Sequence, residues 1–315
     1  MKAAIMTAAD QPLAYGDFPD PERREGWEIV ELVAAALHPV ARSRATGQHY
    51  SSSGEWPLVP GVDGVARTAD GTLVYIGRTE DPYGTFAERI PVPAGLYLLL
   101  PAGADPITIA AGVNPGMASW APLTLHRAEH GTPQTVAVIG GTGIAGLLAV
   151  QNARAAGAEH IIVTGLPDQL GNAAELGADT VPITGDADTD IAAIARAFSG
   201  RTPDLVLDFL WGDPAAATLR ALEASEPAAF TGYFQIGSLA GSDAAVPAAL
   251  LRSRPFRITG SGIGSFAMAD YIGQIPAYMQ LIADKTVSVT ARPFPLHEAT
   301  EAWNARGPRA VLVNE

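Results

Sequence analysis

Apolar positions in the first 113 residues fall in short or alternating runs: Ala3 to Met6, Trp27 to Leu37, Gly64 to Thr68 and Thr72 to Gly77. Turns rich in Pro, Gly and Asp, such as DFPDPERREG and TADG, separate them. Closely spaced strands with polar turns predict a compact, barrel-like β domain. From about residue 114 the pattern changes to alternating strand and helix. A helical stretch around Pro115 to His130 leads to the apolar run Thr135 to Ile139, and helical spacing resumes from Gly146 until Gly157 stops it. Strands are expected at 160–164, 180–183, 205–209, 229–236 and 256–260, with helices at 168–176, 188–198 and 214–223 between them. That alternation predicts a doubly wound parallel sheet, whose ligand belongs at the carboxyl ends of the strands. A helix at 269–283, a short strand near Val287 to Thr290, a capped helix after Pro295 and a terminal strand at 310–313 complete the pattern. Residues 1–113 and 266–315 are thus expected to form a substrate domain, and 114–265 a dinucleotide-binding domain, with the cleft between them.

The turn joining the first parallel strand to its helix reads Gly141-Thr142-Gly143-Ile144-Ala145-Gly146, a G-x-G-x-x-G. In a dinucleotide site Gly141 permits the tight turn, Gly143 lets the backbone approach a pyrophosphate, and Gly146 lets the helix lie close on its strand. The anion sits over unpaired N–H groups at the helix N-terminus. In a chain with 33 glycines such a spacing arises by chance as well, but here it lies between strand and helix, with another strand following.

Composition narrows the partners. The formal charge of −13, with Lys only at positions 2 and 285, argues against nucleic acid or an anionic membrane surface. No window approaches the roughly 20 apolar residues of a membrane helix, and Asp10 interrupts the N-terminus before a signal-peptide core develops, so a cytoplasmic location is expected. The absence of cysteine excludes disulfides and a thiolate zinc site.

In chain order, the segments PLVPGVDGVA (57–66), YGTFAERIPVP (83–93), VNPGMASW (113–120), the glycine turn and SGRTPDLVLDFLWG (199–212) resemble the medium-chain dehydrogenase/reductase superfamily. The likeness covers nearly the whole chain and is closest in kind to the zinc-free branch of quinone oxidoreductases and enoyl or alkenal reductases. It implies an α/β fold: a Rossmann-like doubly wound parallel sheet plus a mostly-β, GroES-like catalytic domain. Zinc-dependent members carry a His-Glu pair where this chain has Val62 and Asp63, and a Cys near the position of Ala41. A catalytic zinc is therefore not expected. Without a Lewis acid, the acceptor must already be electron-poor, as a quinone or an α,β-unsaturated carbonyl is. The resemblance thus implies an NADPH-preferring reductase of such small molecules, and a homodimer formed along the strand 256–260. The alternatives are a specialised biosynthetic enzyme on the same scaffold and a non-catalytic NADP(H)-binding protein.

The segment Ala36 to Tyr50 is similar to a family stretch that borders the nicotinamide, with two departures: His38 for the usual Asn and Ala41 for the usual Asp. His38, Arg42, His49 and Tyr50 supply other donors there. Tyr50 or His49 is the candidate proton source, since both can donate near neutral pH. The resemblance places Asn114 at the cofactor, Trp120 in the substrate cleft, and Gly237, Ser238, Gly262 and Ile263 near the nicotinamide ribose and ring. Strand 160–164 ends without the acidic residue that binds the ribose of NAD: Thr164 is followed by Gly165. That favours NADPH, with NADH possible. Leu166 stands where similar NADPH-dependent reductases often have Arg, and no Lys or Arg occurs between Arg154 and Arg196. Thr164, Gln169 and Asn172 could bond a phosphate, and Asp168 could serve a ribose.

Overall fold

The ten-residue strand Trp27–Ala36 organises the first of two compact units, which comprises residues 1–114 and the chain from Pro276 onward; the second is Pro115–Ile275. The computed structural model describes residues 1–314, apart from the side chain of Ile263.

Alternating burial along Trp27–Ala36 gives way to the buried run Ala34–Leu37, so the strand becomes more enclosed towards its end. Its first half pairs antiparallel with Arg89–Pro93, its middle with Gly64–Arg67, and its end with Arg309–Val313. The sheet continues on one side through Leu73–Ile76 to Leu98–Leu99, and on the other to Ala291–Pro295, which runs parallel to Arg309–Val313. A hairpin, Lys2–Ile5 with Ala14–Asp17, joins it through the bridges Ala3–Ala87 and Met6–Leu58. Met6, Leu13, Ile76, Phe86, Ile90 and Phe294 fill the shared core. Each such side chain contributes about 1.5–3 kcal/mol by leaving water.

Two elements of this unit differ from expectation. No strand forms at Val287 to Thr290; Val287 is buried and its N–H donates to the Leu281 carbonyl, closing the helix Met268–Ala283. The strand lies instead at Ala291–Pro295, where Pro293 and Pro295 hide the β signal and are tolerated because this is an outer strand. The helix expected from Pro115 begins at Pro106 and runs to His130. Asp105 receives the N–H groups of Ile107 and Thr108, making Asp105-Pro106 the true start, whereas Pro115 and Pro122 lie inside the helix. The two units meet in sequence within this helix and again within Met268–Ala283, at Pro276 rather than at residue 266.

The second unit is a six-stranded, wholly parallel sheet. Its order is Asp179–Pro182, His160–Gly165, Thr135–Ile139, Leu205–Asp208, Thr231–Gln235, Phe256–Gly260. The strands run 3-2-1-4-5-6 in order of appearance, the dinucleotide-binding arrangement, and the order reverses beside Thr135–Ile139. Val136 and Val138 face a core with Ala149, Ala153 and Leu123, while Ala137 and Ile139 face another with Ile194, Phe198 and Leu219. Apolar residues on both faces are what a sheet covered on both sides requires. Among the described residues no helix is long and apolar enough to cross a membrane.

At the opposite, amino-terminal edge of this sheet His126 is buried, with Nδ1 unpartnered, beside Gly232, His130 and Phe230. Burial, and secondarily His130, hold its pKa below the ordinary 6.5, against the opposing pull of Asp204 and Glu129. A base depressed in the folded state contributes stability above its unfolded pKa and loses it as pH falls. The midpoint of thermal unfolding should therefore fall between about pH 7 and pH 5, and fall less in His126→Leu. Equal acid-side slopes in the two proteins would show that this histidine does not contribute.

Candidate functional site

The glycine turn follows directly from the apolar strand Thr135–Ile139. Gly140, at φ +81°, reverses the chain, and the N–H groups of Gly140 and Gly141 both donate to the Thr164 carbonyl at 3.1 Å. A Cβ on Gly141 would meet Val163 Cγ1 at 2.4 Å. One on Gly146 would meet the Gly141 Cα at 2.5 Å, so the helix Ile144–Ala155 lies against its own strand turn. Gly143 differs: it is exposed, and a Cβ there would have no neighbour within 4 Å. It is the N-cap of the helix, and no side chain caps it. Ile144 and Ala145, half-buried, begin the helix, whose first amides face the open space. The turn thus has room for a pyrophosphate where the dipole and amides favour one, and these residues fit a nicotinamide dinucleotide.

The other loops at the carboxyl ends of the strands close on this turn. Leu210 lies against Gly140, and the Phe209 carbonyl would touch a Cβ of Gly237 at 2.4 Å. Trp211 adopts φ +56° and Gly212 +63°, a costly stretch of backbone beside the switch point. Asp208 holds it: one carboxylate oxygen accepts the N–H groups of Leu210 and Trp211 at 2.8 and 3.0 Å, and the other accepts the Tyr233 hydroxyl at 2.7 Å. Burial raises the pKa of Asp208 despite those donors, and burial with the adjacent Asp208 raises that of Tyr233. Asp208 went unnoticed in the sequence, although a carboxylate inside the apolar run LVLDF is the signal that marks it.

Ser238 is exposed after Gly237; the Gly262 N–H donates to Ser265 Oγ at 3.2 Å, and the side chain of Ile263 lies outside the described residues. Trp120 is half-buried against the core of this unit. Thr164 does not present a phosphate ligand: its side chain is fully buried, with Oγ1 3.4 Å from the Gly140 nitrogen, so it braces the turn. Gly165 is buried beneath Thr142, whose methyl would lie 2.3 Å from a Cβ there. Thr142 Oγ1 faces Gln169 Oε1 at 3.5 Å, and Leu166 is 54% exposed.

In the first unit, His49 and Tyr50 stand together, ring centroids 4.1 Å apart, with His49 Nδ1 2.8 Å from Ser51 Oγ. Tyr50 is 82% exposed. Burial, then the charge of Arg44, lowers the His49 pKa from 6.5, leaving the ring neutral at pH 7. His38 is corrected: far from offering an accessible donor, it is 1% exposed. Its Nε2 faces the Ala110 carbonyl at 3.2 Å and Asp63 Oδ1 at 3.5 Å, while Asp63 Oδ2 accepts the Tyr75 hydroxyl at 2.8 Å. Ala41 is equally buried. Arg42, one turn beyond His38 on the helix Pro39–Ala45, is half-buried with its guanidinium 4.6 Å above the Trp303 ring. Asn114 is half-buried where this unit ends. Tyr75, Trp303 and Arg309 escaped the sequence reading because nothing local connects them to His38 or Arg42.

A doubly wound sheet of this order, with a glycine cradle at its switch point and a second, mostly β unit, defines a dinucleotide-binding α/β protein. A family description of zinc-binding dehydrogenases matches residues 145–284. A probable NADPH-dependent quinone reductase of Emericella nidulans is 27% identical over 99% of this chain and 100% of that protein. A chloroplastic NADPH-dependent alkenal/one oxidoreductase of Arabidopsis thaliana is 30% identical over 50% of this chain and 45% of its own. Among solved structures, the quinone oxidoreductase of Thermus thermophilus superposes with a TM-score of 0.79 at 23% identity, covering 99% of this chain and 100% of that one. A mycobacterial quinone oxidoreductase does so at 0.78 and 18%, covering 99% of both. The chain is thus similar over its whole length to a probable quinone reductase and shares the fold of solved quinone oxidoreductases.

Gly143→Val should leave thermal unfolding within about 2 °C of wild type, since the side chain enters open space, yet raise the NADPH dissociation constant at least tenfold by occupying the anion position. Gly146→Ala should instead cost about 1–3 kcal/mol of stability through overpacking. Unchanged NADPH affinity in Gly143→Val would place the cofactor elsewhere.

Proposed function

We infer that the protein is a zinc-independent, NADPH-dependent oxidoreductase that reduces a quinone or an α,β-unsaturated carbonyl. The observation that carries this reading is the open, uncapped glycine cradle at the sheet's switch point; the relative from Emericella nidulans, similar over its full length, supports it. Bound NADPH would supply a hydride to the acceptor carbon, and a proton must then reach the acceptor oxygen.

The chain's own residues divide the remaining work. Gly141, Thr142, Gly143, Ile144, Ala145 and Gly146 would hold the pyrophosphate, and the backbone around Gly237 and Gly262 the ribose and ring. Leu166 and the lack of Lys or Arg between Arg154 and Arg196 leave neither a repelling carboxylate at the strand end nor a strong phosphate clamp. Preference for NADPH over NADH should accordingly be modest. Nothing in the donor set calls for zinc: the chain has no cysteine, position 62 is Val, and Asp63 is occupied by Tyr75 and His38. Tyr50, exposed and lying at a tilt against a neutral His49, is the proposed proton donor to the acceptor. The specialist alternative rested on His38, Ala41 and Arg42; with the first two buried, only Arg42 still sets the site apart. A cytoplasmic homodimer, joined along the outer strand Phe256–Gly260, belongs to the same proposal, and sedimentation as a monomer at micromolar concentration would overturn the dimer.

Chelator-treated protein should oxidise NADPH when given a para-quinone or an enal, at a rate unchanged by added zinc. Cofactor binding without any acceptor-dependent oxidation would instead identify a non-catalytic dinucleotide binder. In Tyr50→Phe turnover should fall at least tenfold, the lower end of what a positioned general acid contributes being about 100-fold. A rate equal to wild type would assign the proton to His49 or water.

A further inference from the structure

Within the unit Pro115–Ile275, one stretch of backbone is held where it would not rest by itself. Trp211 adopts φ +56° and ψ −159°, a conformation that belongs in practice to glycine, and Gly212 follows at φ +63°. The stretch is fastened from several directions. Below it, one oxygen of the Asp208 carboxylate takes the N–H groups of Leu210 and Trp211. The main-chain carbonyl of Asp208 accepts the N–H groups of Ile236 and Gly237 at 2.7 and 3.1 Å. Across the gap between these loops, the Ala240 N–H donates to the Leu210 carbonyl at 2.8 Å, and a Cβ on Gly212 would meet the Ala240 carbonyl oxygen at 2.7 Å. Asp208 thus ties the loop after the fourth strand of the sheet to the loop after the fifth, both at the carboxyl edge.

The carboxylate is an expensive way to do so. Asp208 is fully buried, and the groups that reach its two oxygens are backbone N–H groups and the Tyr233 phenol, with no cation among the described residues that bond it. Burial outweighs those donors and raises its pKa. A well-packed apolar residue would sit there at less cost. What the carboxylate adds is the shape of the backbone above it.

The position of that backbone indicates what the shape serves. In a doubly wound sheet the strands on one side of the switch point hold the adenosine half of a dinucleotide, and those on the other side hold the second mononucleotide. Gly165 ends the second strand, on the adenosine side, whereas Asp208 and Gln235 end the fourth and fifth, on the other. We propose that Asp208 is a positioning residue for the nicotinamide half of the cofactor. Buried beneath the loops, it acts through the backbone it fixes, from Leu210 to Gly212 and onward to Gly237–Ala240, which would form the wall on that side. This rests on the NADPH-binding reading above.

The test measures the dissociation constants of NADPH, by its fluorescence, and of 2′,5′-ADP, which carries only the adenosine half, by calorimetry. Both are read with thermal unfolding in wild type, Asp208→Ala, Asp208→Asn, Tyr233→Phe and Gly212→Ala. Asp208→Ala should raise the NADPH constant about tenfold or more and leave that of 2′,5′-ADP within about twofold. Asp208→Asn, whose side-chain oxygen can still accept from Leu210 and Trp211, should recover most of the NADPH affinity. Tyr233→Phe removes the phenol but leaves the bonds to the loop, so the unfolding midpoint should drop while the NADPH constant stays within about twofold. Gly212→Ala displaces the same stretch from the Ala240 side and should repeat the pattern of Asp208→Ala, carrying the test if that variant does not fold. Equal losses of NADPH and 2′,5′-ADP, or a loss in Tyr233→Phe matching that in Asp208→Ala, would reduce Asp208 to a support of the core and overturn the proposal. Unchanged NADPH affinity in Gly212→Ala would overturn it as well. The expected pattern in a protein that oxidises NADPH with no quinone or enal would sustain the proposal and sink the reductase reading. Wild type that binds neither ligand would sink the cradle and the proposal together.

Discussion

The contact on which the nucleotide-binding unit depends is the one between Gly146 and Gly141, where the helix Ile144–Ala155 approaches its own strand too closely for any side chain to intervene. That approach sets the direction in which the helix leaves the sheet. With the direction fixed, the uncapped first turn opens at the carboxyl edge, where the sheet order reverses. Gly140 against Leu210, and Gly237 against the Phe209 carbonyl, extend the same economy of volume to the neighbouring loops. Asp208, desolvated but surrounded by donors, keeps the intervening backbone in a conformation it would otherwise leave.

The first unit solves a different problem. The resemblance to zinc-dependent dehydrogenases implies metal ligands at the positions where this chain has Val62 and Asp63. Here Asp63 is turned inward to Tyr75 and His38, so the position is filled by a sealed polar chain rather than an accessible donor. The consequence falls on what surrounds it. The polar residues here that remain accessible to solvent include Arg42 on the helix Pro39–Ala45 and the His49–Tyr50 pair beyond its end.

Much of the fold was legible because its signals are local. The glycine spacing, the apolar strands of the parallel sheet and the helix stopped at Gly157 each declare themselves within about ten residues. What escaped was of two kinds. Prolines misled: Pro115 reads as a helix start although Asp105-Pro106 is one, and Pro293 and Pro295 disguise an outer strand. Long-range pairings were silent, since no pattern near residue 38 announces Asp63 or Ala110, and none near Arg42 announces Trp303 or Arg309. Exposure decided the rest. His38 and Thr164 are of plausible type at plausible positions, and both are sealed from solvent.

The strand Trp27–Ala36 takes one of its partners, Arg309–Val313, from the far end of the chain. The parallel-sheet unit, by contrast, is a single uninterrupted segment from Pro115 to Ile275. During synthesis that segment is complete while the mostly β unit still lacks an inner strand. Until the last strand emerges from the ribosome, one edge of Trp27–Ala36 lacks its partner near Ala34–Ala36, and the newborn protein carries an exposed pairing edge that a chaperone or another nascent chain can reach.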